Sequence, residues 1–156
     1  MAKGAKIIVE GNLGIGHREW GVIGDTSLPG TVMNIDPTAA QQGGRWKWKA
    51  TTCPTAGGMV PHAILLEDCL QGFLTSTAYV AGTMGELYWP VRGENMNILS
   101  TETSGTGQSF VVGENMIIAT SGGKIIPTTG SPMEYFCQSL EAIHEPGDYL
   151  LWCMMF

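Results

Sequence analysis

The sequence predicts an all-β fold, and three observations support this prediction. Glycine contributes 22 and proline 8 of the 156 residues, so turns must be frequent. Apolar residues occur in short runs, bounded by glycine, proline, serine and threonine, as is typical of strands. Only residues 61–71 have an apolar spacing that fits a short helix. The length is that of one domain with one sizeable core.

Residues 1–58 are predicted to form an extended N-terminal arm with short strands. The arm begins with short hydrophobic stretches between glycine, aspartate and proline, and it shows no helical period. Residues 44–50 alternate strictly, with the cations on one face and Trp46 and Trp48 on the other, which predicts a strand. The stretch "CPTAGGMVP" at residues 53–61 then breaks the pattern, so we place the boundary of the arm there.

Residues 59–156 are predicted to form a small β-barrel or sandwich body. Short runs of strand formers follow one another, separated by turn residues. The predicted strands cover residues 62–66, 78–81, 85–91, 96–100, 116–120, 124–126, 135–143 and 149–155. Residues 145–148, Glu-Pro-Gly-Asp, fit a type II turn, because proline presets φ at the second position and glycine accepts a positive φ at the third. This turn is expected to join the last two strands as a hairpin.

The tetrapeptide Gly-Glu-Asn-Met occurs at residues 93–96 and again at residues 113–116, each time before a hydrophobic run. Glycine tolerates a positive φ and asparagine favours turns, while the residues that follow are strand formers. Two copies are too few for a solenoid, which generally needs three or more repeats. Each copy therefore predicts a turn that opens a strand, and both strands are expected in one small barrel.

Two glycine-rich segments resemble nucleotide-binding loops but do not match them. Residues 11–16 have the order G-x-x-G-x-G instead of G-x-G-x-x-G, and no helix is predicted after them. Residues 122–124, Gly-Gly-Lys, resemble the end of a phosphate loop, but Ile118 replaces its first glycine and Ile125 its serine or threonine. Both segments are therefore interpreted as turns.

Catalytic and metal-binding patterns are also missing from the sequence. The three histidines, His17, His62 and His144, have no metal-pair spacing to other histidines, cysteines or clustered carboxylates. No G-x-S-x-G nucleophile elbow is present. We therefore expect that the protein is not an enzyme and that it binds neither a metal nor a cofactor.

Charge and hydropathy limit the partners that the protein is expected to have. A net charge of −6 argues against nucleic acid, whose affinity for proteins comes mostly from lysine and arginine. Apolar runs are far shorter than the roughly 20 residues of a membrane-spanning helix, and no secretory signal is visible, so synthesis in the cytoplasm is expected. The cysteines form no C-x-x-C pair, and we expect reduced, mostly buried thiols. They are Cys53, Cys69, Cys137 and Cys153.

Two features fit a binding role. Arg18, Glu19 and Trp20 combine residue types that are favoured at interface hot spots, although Trp20 packing on its own domain is an open alternative. The cationic face of residues 45–49, backed by two tryptophans, is the second feature. In an acidic protein, such a face is more often a solvated or partner-facing edge than a nucleic-acid patch.

The order of features resembles the capsid decoration, or cement, proteins of tailed bacteriophages, whose body is a small β-barrel of the β-tulip type. The segments that carry the resemblance are "HREWGVIGDTSLPGTVMNI", "AYVAGTMGELYWPVRGENMNIL", "VVGENMIIATSGGKI" and "FCQSLEAIHEPGDYLLWCMMF". The family's turn and strand signals are matched by Gly93-Glu94, Gly113-Glu114, Gly123-Lys124-Ile125 and Glu141-Ala142.

The resemblance implies a structural virion protein on the outer capsid surface, commonly a homotrimer, that bridges major capsid protein subunits and stabilises the expanded shell. In that role, the expected capsid contacts are Arg18, Glu19, Trp20, Pro29, Gly30, Trp46 and Trp48. Aromatic and arginine residues beside a turn are expected to contact neighbouring protomers, and these are Tyr88, Trp89 and Arg92. A carbohydrate-binding or host-attachment module is the alternative, because exposed tryptophans also stack on sugars.

Overall fold

A computed structural model describes residues 7–10, 16–50, 62–68, 70–72, 74–101, 108–119, 122–128, 136–145 and 147–156. All regular elements in these ranges are β-strands, so the all-β prediction is confirmed. They are β1 (Ile8–Glu10), β2 (His17–Ile23), β3 (Val32–Ile35), β4 (Lys47–Ala50), β5 (Ala63–Leu65), β6 (Met84–Trp89), β7 (Asn95–Ser100), β8 (Gln108–Phe110), β9 (Asn115–Ile118), β10 (Ile125–Pro127), β11 (Cys137–Ser139), β12 (Ile143–Glu145) and β13 (Tyr149–Met155).

The first five-stranded barrel closes in the order β2-β4-β3-β5-β6. β2 pairs in parallel with β4 and antiparallel with β6, and β5 connects β3 to β6 through antiparallel pairs. Apolar side chains fill the core of this barrel. They are Ile23, Met33, Trp48, Ala63, Leu65, Tyr79 and Leu87.

This barrel corrects the prediction of an extended arm. β2, β3 and β4 all precede residue 58, yet they close a ring with β5 and β6 from the predicted body. The physical reason is burial, because Ile23, Met33 and Trp48 are 0% exposed in the ring, whereas an extended arm would leave their apolar surface in water. The predicted boundary itself falls in residues 51–61, outside the described residues.

The second barrel closes in the order β7-β10-β9-β11-β13, with β13 pairing back onto β7. β1 lies outside the ring and pairs antiparallel with the start of β7. β11 and β12 divide the predicted strand 135–143. β5 confirms the predicted strand 62–66, and the short helix that residues 61–71 could have formed is not found in their described part.

The two barrels have the same topology. In chain order, the five strands of the first are β2, β3, β4, β5 and β6, and those of the second are β7, β9, β10, β11 and β13. In both rings the first strand pairs in parallel with the third, and all other pairs are antiparallel. A side ladder also recurs, as β8 with β12 in the second barrel and as the bridge from Ser27 to Tyr79 in the first. The described chain therefore contains one barrel design twice.

One type of turn opens four of the strands. In each, the fourth residue donates its N–H to the carbonyl of the first over 3.1–3.2 Å, and a glycine with φ between 83° and 93° occupies the third position. The turns are Leu28–Thr31, Val80–Thr83, Val91–Glu94 and Val111–Glu114, and they open β3, β6, β7 and β9. The last two contain the Gly-Glu-Asn-Met copies. The prediction that each copy opens a strand of the same barrel is confirmed.

The C-terminal hairpin is confirmed in part, because β11, which lies within the predicted strand 135–143, pairs antiparallel with β13. Gly147 has the positive φ, 85°, that the third position of a type II turn requires. However, β12 pairs with β8, while β13 lies between β7 and β11 in the barrel wall. The predicted strand 78–81 is reduced to the single bridge at Tyr79. Cys137 and Cys153 are free and buried as predicted, whereas Cys53 and Cys69 lie outside the described residues.

The barrels meet in a joint built from Gly30 and Tyr88. Gly30 donates its N–H to the Leu65 carbonyl of the first barrel over 2.8 Å and accepts the Leu99 N–H of the second over 2.9 Å. Tyr88, on β6, donates its hydroxyl hydrogen to Glu94 at the start of the second barrel and accepts the Gly16 N–H. One hydrophobic cluster continues across the joint, because it includes Val32, Ile64 and Leu66 of the first half together with the second barrel's core.

The Tyr88 hydroxyl is expected to make the stability of the fold depend on pH, and this can be tested. Burial, followed by the hydrogen bond to Glu94, raises the pKa of Tyr88 from its usual 10 to about 12. The folded state therefore keeps this proton longer than the unfolded state, so stability is fully present below pH 10 and is lost as the pH rises towards 12. We expect an absorbance titration at 295 nm to show a tyrosine step near pH 12 that Tyr88→Phe lacks. If the titration curve of Tyr88→Phe differed from that of the wild type by a step near pH 10 instead, this assignment would be contradicted.

Candidate interaction surface

Three of the predicted contact residues come together on one rim of the first barrel. Trp20 is 37% and Trp46 41% exposed, and both are large apolar side chains in contact with water. Arg18 and Arg45 are exposed beside them. We call Arg18, Trp20, Arg45 and Trp46 the β2 rim.

A tight turn positions Arg45 on the β2 rim. Gln42 and Arg45 exchange two backbone hydrogen bonds of 3.0 and 3.1 Å, and the two residues between them, Gly43 and Gly44, have φ values of 59° and 77°. Two consecutive positive φ values are the requirement of a type I′ turn, which explains the Gly-Gly pair in the sequence. The turn leads Arg45 back to β2, where its Nη1 donates to the Trp20 carbonyl over 2.9 Å.

Gly21 determines which tryptophan is buried and which is exposed. A Cβ at Gly21 would collide with the Trp48 ring and with Leu87, so the Trp48 side chain fills the space inside the barrel that glycine leaves open. Because successive side chains of a strand point to opposite faces, Trp20 then lies on the outside. Trp48 is 0% exposed and packs edge-on against Trp89, with their ring centroids 5.1 Å apart.

Other predicted contact residues lie elsewhere. Trp48 belongs to the core of the first barrel, while Pro29 and Gly30 are buried, Gly30 in the joint. The prediction that these three residues contact the capsid is therefore corrected, because their own chain covers them. Glu19 is half-buried on β2 beside the rim.

The predicted protomer contacts are divided in a similar way. Tyr88 is 1% exposed, because its ring is enclosed in the joint. The prediction that its side chain contacts a neighbouring protomer is therefore corrected. Trp89 is half-buried between Trp48 and His17, and the ring centroids of Trp89 and His17 lie 5.3 Å apart. Arg92 is exposed in the turn that opens β7, so the prediction of a protomer contact stays open for Trp89 and Arg92.

Positive charge is concentrated at this rim. The chain has eight lysines and arginines, and four of them, Arg18, Arg45, Lys47 and Lys49, lie on β2 and β4 or directly before β4. Lys49 is paired with Asp36 over 2.8 Å, and this contact, helped by Thr38, holds the pKa of Asp36 below its usual range. Arg18 makes a 3.2 Å ion pair with Glu86 at the surface, of the kind that contributes little to stability. In a protein of net charge −6, Arg45 and Lys47 are then the two cations of this region that have no ion pair among the described residues.

Three exposed apolar side chains outside the β2 rim were not predicted from the sequence. Leu70 is 101%, Leu74 50% and Val80 61% exposed in the connection between β5 and β6. Asp68 holds the tip of this loop, because its Oδ1 accepts the Leu70 N–H over 2.9 Å. The signal in the sequence for this turn is Asp68, because an aspartate side chain can accept a hydrogen bond from the backbone two residues further on.

The histidines occupy structural positions within the described residues. His62 packs edge-on against Phe136, and burial lowers the pKa of His62. His144 lies 2.7 Å from the Ser109 hydroxyl between β12 and β8. In this part of the chain, no three His, Cys, Asp or Glu residues are grouped so as to hold a metal ion. No helix within it is long and apolar enough to cross a membrane.

In fold, the chain is similar to the head fiber gp8.5 N base in bacteriophage phi29. The TM-score is 0.55 at 10% sequence identity, and the match covers 91% of this chain and 95% of that chain. No protein-family model and no curated protein sequence matches the chain. At this identity the similarity is one of fold, and its coverage takes in both barrels.

Proposed function

We propose that this protein is a structural component of a bacteriophage virion that binds the outer capsid surface. The observation that carries the proposal is the fold similarity over 91% of the chain to the base of a phage head fiber. The motifs that resemble phage cement proteins support the same class of protein independently of that comparison. The proposed role is structural and requires neither catalysis, a metal nor a cofactor.

We further propose that the protein bridges major capsid protein subunits and stabilises the expanded shell as a homotrimer of the β-tulip type. The exposed Trp20 and Trp46 supply aromatic anchors of the kind found at interface hot spots. A trimer would bind several capsid subunits at once, and the resulting effective concentration would strengthen individually weak contacts. The joint holds the two barrels of each protomer together through hydrogen bonds and a shared apolar cluster.

The test is cosedimentation with shells of the phage that encodes the chain, prepared without this protein. Light scattering at micromolar concentration gives the oligomeric mass, and the protein is then mixed with expanded and with unexpanded shells. We expect a discrete oligomer that pellets with expanded shells and stays in the supernatant with unexpanded ones. Protein that remains in the supernatant with both kinds of shell would contradict the proposal.

A carbohydrate-binding or host-attachment module is the second candidate, and the exposed Trp20 and Trp46 are the observation that favours it. Tryptophan rings offer large apolar faces with a polar edge, a combination suited to stacking on sugars. Binding to specific glycans on an array, together with no binding to shells, would favour this candidate over the capsid role.

A further inference from the structure

β2 has one side that its own barrel leaves open along half of the strand. On one side, β6 pairs with β2 from His17 to Val22. On the other side, β4 pairs only with Val22 and Ile23. Among the described residues, no strand pairs with Arg18 to Trp20 on this second side.

The backbone groups of Arg18 and Trp20 point to this open side. Ile23 donates its N–H to the Thr83 carbonyl at the start of β6 over 2.8 Å, whereas Val22 donates to the Trp46 carbonyl on the opposite side over 3.0 Å. Because backbone direction alternates along a strand, Trp20 and Arg18 face the same way as Val22. The Trp20 carbonyl accepts the Arg45 guanidinium and keeps a second lone pair for another donor.

The second barrel shows what fills the corresponding edge. Gly24 and Thr101 are equivalent, since each donates its N–H to the third strand of its barrel, to Trp48 and to Ile125. Trp20 lies four residues before Gly24, and Asn97 lies four residues before Thr101, so Trp20 and Asn97 are also equivalent. The Asn97 N–H donates to the Ile7 carbonyl over 2.7 Å, at the start of the added antiparallel strand β1. The chain itself therefore demonstrates that this edge of the barrel accepts an extra strand.

We propose that the β2 edge at Arg18–Trp20 binds an extended acidic segment of the capsid protein as an added antiparallel strand. This inference rests on the proposed capsid role and specifies the binding element within it. Main-chain hydrogen bonds would supply affinity, and the exposed Trp20 and Trp46 would pack on the partner's side chains, as in other cases of strand addition.

The charges on the rim favour an acidic segment over a second copy of this chain. Arg45 is exposed at the open edge, where its guanidinium contacts the Trp20 carbonyl. Lys47 lies at the end of this edge, opposite Val22, whereas Arg18 is paired with Glu86 on β6. Two such edges placed side by side would bring like charges together, which disfavours pairing between copies. Aspartate or glutamate on the incoming strand would instead meet these cations.

A pair of substitutions at one position separates the backbone from the side chain. Trp20→Ala removes the indole ring and keeps the N–H, whereas Trp20→Pro removes both. Proline is tolerated on an edge strand where the missing N–H faces outward, as it does at Trp20, so the bonds from β2 to β6 remain possible. Thermal unfolding of both variants checks that the barrel persists.

Binding to expanded shells is measured by cosedimentation for wild type and both variants. We expect Trp20→Ala to weaken binding by roughly 10-fold or more, as for a hot-spot aromatic residue, and Trp20→Pro to weaken it by about a further 10-fold, as for one lost hydrogen bond. Equal affinity of the two variants would overturn strand addition while leaving the capsid role intact. Failure of wild type to bind shells would overturn the capsid role itself, and this inference with it.

Hydrogen exchange of wild-type protein supplies a second readout that needs no variant. The amides of Arg18 and Trp20 should exchange rapidly in the free protein and become protected on expanded shells. Unchanged exchange at these amides on shells that do bind the protein would overturn the proposal. Binding that does not weaken as salt is raised would overturn the acidic character of the segment, because exposed ion pairs are screened by salt.

Discussion

Replacing Gly30 with alanine is expected to lower the free energy of unfolding by about 3 kcal/mol. A left-handed backbone costs a non-glycine residue about 1–2 kcal/mol, and Gly30 has a φ of 89°. Its new Cβ would also lie 2.6 Å from Leu150 Cδ2 and 3.1 Å from the Leu99 nitrogen, and such overpacking costs about 1–3 kcal/mol. For a chain of this size, the change corresponds to a fall in Tm of roughly 6–12 °C.

Gly113→Ala is the matched control for this prediction. Gly113 occupies the same position of the same type of turn, with a φ of 83°, but a Cβ there meets no atom within 4 Å. It should therefore incur only the backbone cost. The difference in Tm between the two variants measures the contact between the barrels at Gly30. Equal losses would show that the barrels are not packed as closely at this joint as the structure indicates.

Replacing Glu94 with glutamine is expected to cost about 1–3 kcal/mol in the free energy of unfolding, or roughly 2–12 °C in Tm. Glu94 is 5% exposed, and its two carboxylate oxygens serve two donors, the Tyr88 hydroxyl and the Val91 N–H. Glutamine has only one acceptor oxygen, so one buried donor would face an NH₂ group. The amide thus keeps the shape of the side chain and removes one hydrogen bond in the joint.

The second Gly-Glu-Asn-Met copy provides the control. Glu114 closes its turn in the same way, since its Oε2 accepts the Val111 N–H over 3.1 Å, but it has no counterpart to Tyr88 among the described residues. One amide oxygen can serve one donor, so Glu114→Gln should change stability by less than about 0.5 kcal/mol, as is usual for surface substitutions. Thermal unfolding of both variants tests the difference. Similar losses for the two would contradict a role of Glu94 in joining the barrels.

The candidate surface was only partly predictable from the sequence. The residue types of Arg18, Trp20 and Trp46 predict an interface, and the structure brings them together on the β2 rim. Trp48 is of the same residue type, but it belongs to the core of the first barrel. The alternation of residues 44–50 correctly separated cations from tryptophans, yet it could not distinguish the tryptophan at the open rim from the one inside the ring. That distinction depends on Gly21 and Leu87, which lie on other strands.

The strand-forming character of the chain and its turns follow from the amino-acid sequence, because both depend on neighbouring residues. A glycine with positive φ between strand formers is a local requirement, and it correctly located the starts of β7 and β9. The assembly of these strands into two barrels of one design, instead of an arm and a body, depends on long-range pairing that is seen in the folded chain. Ring closure joins strands far apart in the sequence, such as β2 with β6 and β7 with β13, through backbone hydrogen bonds that carry no residue-specific signal. For the same reason, only the folded barrel revealed that β7 has a strand added to its edge while the matching edge of β2 is open among the described residues.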